Sequence, residues 1–107
     1  MTFNEVCDAV ESGRSVWVPS EFVDAVRSAA SRARATREIG LIQFWRINAA
    51  LRNSRQLAKI YAGVVDEAVS CGVVSADADE YEFDWESILD FLERLLPLIL
   101  QLISIFS

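Results

Sequence analysis

The chain closes on the stretch ERLLPLILQLISIFS, residues 93–107, and nothing else in it constrains the fold as strongly. Nine of the twelve residues from 95 to 106 are Leu, Ile or Phe. A segment this apolar must leave water, into lipid or against protein. Laid on a helix starting at Trp85, its polar or helix-breaking residues are Glu86, Asp90, Glu93, Arg94, Pro97, Gln101 and Ser104. Their steps of mostly three and four line them up as one narrow stripe, and large apolar side chains fill the rest of the surface.

A membrane span fits this pattern poorly. The uninterrupted run from residue 95 reaches roughly 20 Å at 1.5 Å per residue, short of the roughly 20 residues a bilayer core needs. Extending it backwards brings Asp90, Glu93 and Arg94 into hydrocarbon at high cost. A helix lying on a membrane surface carries Lys and Arg on its polar face, whereas here the polar face is mainly acidic. Membrane partnership is therefore not expected, and burial against protein is.

The apolar arc is wide enough for two neighbours. One seam, at heptad-like spacing, runs through Trp85, Leu89, Leu92, Leu96, Ile99, Ile103 and Phe106, and a second through Phe91, Leu95, Leu98, Leu102 and Ile105. These seams, Ile105 aside, are the expected protein interface. A central helix of the same chain would cover one seam, and another subunit the other. Pro97 removes a hydrogen bond to the Glu93 carbonyl and should kink the helix.

The rest of the chain reads as helical too. Thr2 and Glu5 stand at capping-box spacing ahead of a short helix that Gly13 ends. Val16, Trp17 and Val18 are strand-like, and Pro19 stops them. Ser20 reads as the N-cap of a long Ala- and Arg-rich helix, with Gly40 as a break or a close contact. Residues 41–69 read as one amphipathic helix, with Gly72 as its left-handed C-terminal cap. Residues 77–84 form an acidic linker in which Tyr81 and Phe83 alternate with acids, a pattern that continues to Trp85. That alternation suits a two-stranded ribbon with residues 15–18. Asp84 is placed to cap the last helix. The expected fold is all-α: a small bundle with a long central helix, a Pro-kinked C-terminal helix and at most a minor β-ribbon. It divides into an N-terminal and central region (1–76), the linker (77–84) and an assembly helix (85–107). Trp17, Trp45 and Trp85 read as core anchors, any of which becomes an interface candidate if exposed. Arg46 reads as a cation near an apolar face, placed to snorkel or to pair with a buried acid.

The net charge of −6 conceals segregation: residues 1–24 sum to −4, residues 25–59 to +7 and residues 60–107 to −9. Opposite blocks of this kind can pair within a subunit or between subunits. If one helix ran through the basic block, Arg27, Arg34, Arg37, Arg52, Arg55 and Lys59 would share one broad arc. That arc would suit an acidic partner or the phosphates of a nucleic acid.

Catalytic chemistry is not legible. The chain has no histidine, which excludes a His-based triad or a His zinc site. There is no glycine-rich phosphate loop and no paired-cysteine metal motif. Asp77, Asp79, Glu80 and Glu82 lack the central Gly and ordered spacing of a calcium loop. Cys7 and Cys71 are read as two buried reduced thiols, able to pair only if the fold brings their Cα atoms within about 7 Å. No cofactor is expected and no enzyme.

The expectation is a non-catalytic structural protein that self-associates or docks into a larger assembly, such as a virus particle or protein shell, through its C-terminal helix. The alternatives are a nucleic-acid-binding module or a peripheral membrane protein. The N-terminus lacks the basic start of a signal peptide, which points to an intracellular or virion location.

Overall fold

A computed structural model describes residues 2–79 and 83–106, with side chains placed up to residue 103. Among them the chain forms α1 (Phe3–Glu11), α2 (Ser20–Ala35), α3 (Leu41–Leu51), α4 (Ser54–Ser70), a 3₁₀ turn (Trp85–Ile88) and α5 (Leu89–Phe106). The all-α expectation holds. The ribbon does not form among the described residues. Residues 14–19 have no regular structure, and an isolated bridge joins Thr2 to Asp79. Its other expected members, residues 80–82, lie outside the described residues.

Local chemistry sets most helix ends. Thr2 Oγ1 accepts from the Glu5 N–H at 3.4 Å, opening α1. Asp84 Oδ1 accepts from the Glu86 N–H at 3.2 Å, opening the turn that leads into α5. At the end of α1, the Gly13 N–H donates to the Val10 carbonyl and the Arg14 N–H to that of Ala9. With Gly13 at φ 76°, this is a Schellman motif. Gly72, at φ 74°, closes α4 in the same way, with the Val73 N–H on the Ala68 carbonyl at 2.9 Å.

The basic region is not one helix. After α2 the Glu38 N–H bonds the Ala33 carbonyl at 2.8 Å, and Arg37 takes the left-handed position at φ 64°. This is a third Schellman motif, built on a residue with a Cβ. Gly40 therefore does not break α2; it caps α3, its N–H held by Gln43 Oε1 at 2.7 Å. The expected helix over residues 41–69 is also divided. Asn53 Oδ1 accepts from the N–H groups of Arg55 and Gln56, at 3.0 and 3.1 Å, and starts a new helix. Asn competes with helical hydrogen bonding through its own side chain, so it favours this position.

These two breaks let α2, α3 and α4 fold around α5, which packs against all three. The second neighbour expected from another subunit is therefore supplied within the chain. Ala25, Ala29, Ala30 and Ala33 are fully buried along α2, and their small side chains allow close approach. Gly63 serves the same end between α4 and α5: a Cβ there would lie 2.7 Å from Leu102 Cδ1. α1 packs on α4.

An aromatic cluster closes the end of the core nearest the 3₁₀ turn. Trp85 lies edge-on to Phe3, Phe22, Tyr61 and Phe83, with ring centroids 4.8–5.9 Å apart. Edge-to-face pairing of this kind contributes roughly 0.5–1.5 kcal/mol per pair beyond burial. α5 runs through Pro97, whose ring is exposed, so proline here does not end the helix. Glu86, Asp90, Arg94, Pro97 and Gln101 are all exposed. Of the polar stripe read from the sequence, Glu93 is half-buried and the side chain of Ser104 lies outside the described residues.

Candidate functional interface

The residues expected to form an interface on the last helix divide by burial. Trp85, Leu92, Leu95, Leu96, Ile99 and Ile103 are buried against the chain's own helices. Leu89, Phe91, Leu98 and Leu102 are half-buried. The side chain of Phe106 lies outside the described residues. The six buried positions are core, because α2, α3 and α4 pack around this helix.

The apolar surface that remains uncovered lies mainly elsewhere. Ile42 is 72% exposed, Trp45 62% and Leu41 45%. All three sit on α3, whose other face buries Ile47, Ala50 and Leu51. Ile42, Trp45 and Ala49 follow steps of three and four, and Ala49 is also exposed. α3 therefore carries two apolar faces, one packed inward and one turned to water. Sequence reading missed the outward face because it treated residues 41–69 as one helix and took its apolar spacing as one stripe. The signal was present in LIQFW, which is too apolar to be one-sided. Trp45 is therefore not a core anchor, and neither is Trp17, which is 57% exposed; of the three tryptophans only Trp85 lies in the core.

Cations flank this face. Arg46 and Arg52 are exposed on α3 and at its C-terminal cap, and Arg37 is exposed in the turn before it. Arg46 is exposed, and the buried acid expected as its partner is not found among the described residues. Among the described residues no carboxylate lies within ion-pair distance of Arg34, Arg37, Arg46 or Arg52. Ion pairs of the basic block include those of Arg27 and Arg32. Arg27 meets Asp24 at 3.9 Å, and Arg32 reaches Asp90 at 3.1 Å and Glu93 at 2.8 Å. The arc expected for Arg27, Arg34, Arg37, Arg52, Arg55 and Lys59 presupposed one continuous helix. The breaks after Ala35 and at Asn53 separate these residues onto α2, the turn after it, the end of α3 and the start of α4.

A contrasting edge is acidic. Asp8 and Glu11 on α1 and Asp66 on α4 are exposed, and all three act on Cys7. Burial first, and then these carboxylates, pushes the Cys7 thiol up from 9.0 to about 11. Its S–H donates to the Ala62 carbonyl at 3.4 Å. Both cysteines are free.

Among the described residues no group of three His, Cys, Asp or Glu could hold a metal ion, and no helix is long and apolar enough to cross a membrane. Comparison with protein-family models, curated proteins and solved structures finds no match.

Proposed function

We propose that the protein is a non-catalytic structural component that assembles with copies of itself, the outward face of α3 of one copy docking on the acidic α1–α4 edge of the next. The observation that carries this reading is the exposure of Ile42 and Trp45 on a face flanked by arginines that have no acidic partner among the described residues. Large aromatic and aliphatic residues inside a polar rim are the usual anatomy of a protein interface. The chain's own charge segregation supplies a complementary surface at Asp8, Glu11 and Asp66. Two α3 faces meeting each other would set arginine against arginine, so the contact is head-to-tail. Such contacts close into rings or extend as filaments, which suits a component of a protein shell.

Charge reversal tests the pairing. Arg46→Glu abolishes assembly, and so does Asp8→Arg combined with Glu11→Arg. Mixing the two variants restores a complex, because each retains one intact face. A mixture that stays monomeric at low salt removes the proposed pairing. The nucleic-acid reading rests on the same arginines. Binding of single-stranded DNA that Arg46→Glu and Arg52→Glu abolish, in a chain that never self-associates, would replace the assembly reading.

A further inference from the structure

A cleft of about 670 Å³ opens where the loop after α1 meets the first turns of α4. Its size falls within the roughly 300–1,000 Å³ range of small-molecule sites. Val10, Val16, Ala58 and Leu102 supply an apolar lining. Arg14, Arg55 and Lys59 bring three of the chain's ten cations to the same cleft, with Glu11 as the acid beside them. The cleft is thus cationic in a chain of net charge −6. Among the described residues no carboxylate lies within ion-pair distance of Arg14 or Arg55. Ser15 and Ser54 add hydroxyls, and Ser54 opens α4, whose positive dipole end therefore faces this region.

We infer that this cleft binds a small amphiphile: an anionic head, carboxylate or phosphate, on an apolar body. The head is held by Arg14 and Arg55, with Lys59 adding positive charge. The body lies on Val10, Val16, Ala58 and Leu102. An inorganic anion would leave the apolar lining uncovered, and a neutral apolar molecule would leave the guanidinium groups without a counter-charge. A ligand combining both parts satisfies the site. The outward face of α3 contributes nothing to the cleft, and of the acidic edge proposed for assembly only Glu11 lines it.

Isothermal titration of the whole chain with decanoate, decyl phosphate, decanol and inorganic phosphate, each below its micellar range, provides the test. Saturable binding of decanoate or decyl phosphate is expected, with decanol and inorganic phosphate much weaker. The tighter of the two anions identifies the head group. Arg14→Gln with Arg55→Gln should weaken binding by about tenfold or more. Both residues are exposed, so this variant should fold normally. Ala58→Phe should abolish binding by filling the cleft, with helical content unchanged. Trp45→Glu should leave binding intact, separating this site from the exposed face of α3. Amide chemical shifts of Gly13, Ser15 and Ser54 should move on titration. No saturable binding of either anion, equal binding of decanol, or indifference to the double Arg substitution would overturn the inference.

Discussion

Arg32 Nε lies 2.8 Å from Glu93 Oε1, and its Nη2 lies 3.1 Å from Asp90 Oδ1. One guanidinium on α2 thus spans two carboxylates three residues apart on α5. Among the described residues this is where the basic middle of the chain meets the acidic last third. It closes α2 over α5, whereas Arg37, Arg46 and Arg52 meet no carboxylate among the described residues.

The two contacts should differ in energy. The Glu93 side chain is 19% exposed and that of Asp90 81%, so solvent screens the second far more. Glu93→Gln should lower stability by about 1 kcal/mol, and Asp90→Asn by only a few tenths. Urea denaturation at low and high salt checks this, with the Glu93 effect persisting better in salt.

Trp85 carries the aromatic cluster, and its indole N–H is buried without a hydrogen-bond partner among the described residues. Trp85→Ala should cost about 3–5 kcal/mol. Trp85→Phe should cost clearly less, because it keeps ring packing and removes a donor that was desolvated without return. Denaturant midpoints of the two variants provide the comparison.

Arg37 occupies the left-handed position that Gly13 and Gly72 occupy in the matching motifs. A side chain there costs roughly 1 kcal/mol. Arg37→Gly should therefore raise stability by up to about 1 kcal/mol, and it should weaken the proposed assembly, since it removes a cation beside α3. A thermal melt and a light-scattering measurement on one sample read both effects.

The thiols give a pH test. Folding holds the Cys7 proton more tightly than its ordinary value of 9.0, up to about 11. The stability this adds is complete below pH 9 and is lost as pH rises through about 11. Cys7→Ser should flatten that part of the stability curve. At pH 8 iodoacetamide should modify exposed Cys71 before Cys7, as read by mass spectrometry of the two peptides.

Much of this architecture is legible before folding. Thr2, Gly13, Gly72 and Asp84 act locally, so their roles follow from residue type and position. The polar stripe of α5 is legible for the same reason, because helical spacing alone places Asp90, Arg94 and Gln101 together. The turn at Arg37 was hidden, since nothing in the residue type announces a left-handed backbone. The break at Asn53 was hidden because a helix interior also accepts Asn at modest cost. Both errors propagated: merging α3 with α4 concealed that α3 is apolar on two sides. The site was thus missed through connectivity rather than chemistry. LIQFW was visible as apolar, but which face met water depended on where α2 and α5 packed.

Self-assembly through the outward face of α3 is the proposal most open to direct measurement. Sedimentation velocity at low salt, over a wide concentration range, tests it for the unaltered chain and for Trp45→Glu. The sedimentation coefficient should rise with concentration in the unaltered chain and stay at the monomer value in the variant, with far-ultraviolet circular dichroism the same for both. An unaltered chain that stays monomeric throughout, or a Trp45→Glu chain that assembles equally well, would contradict it.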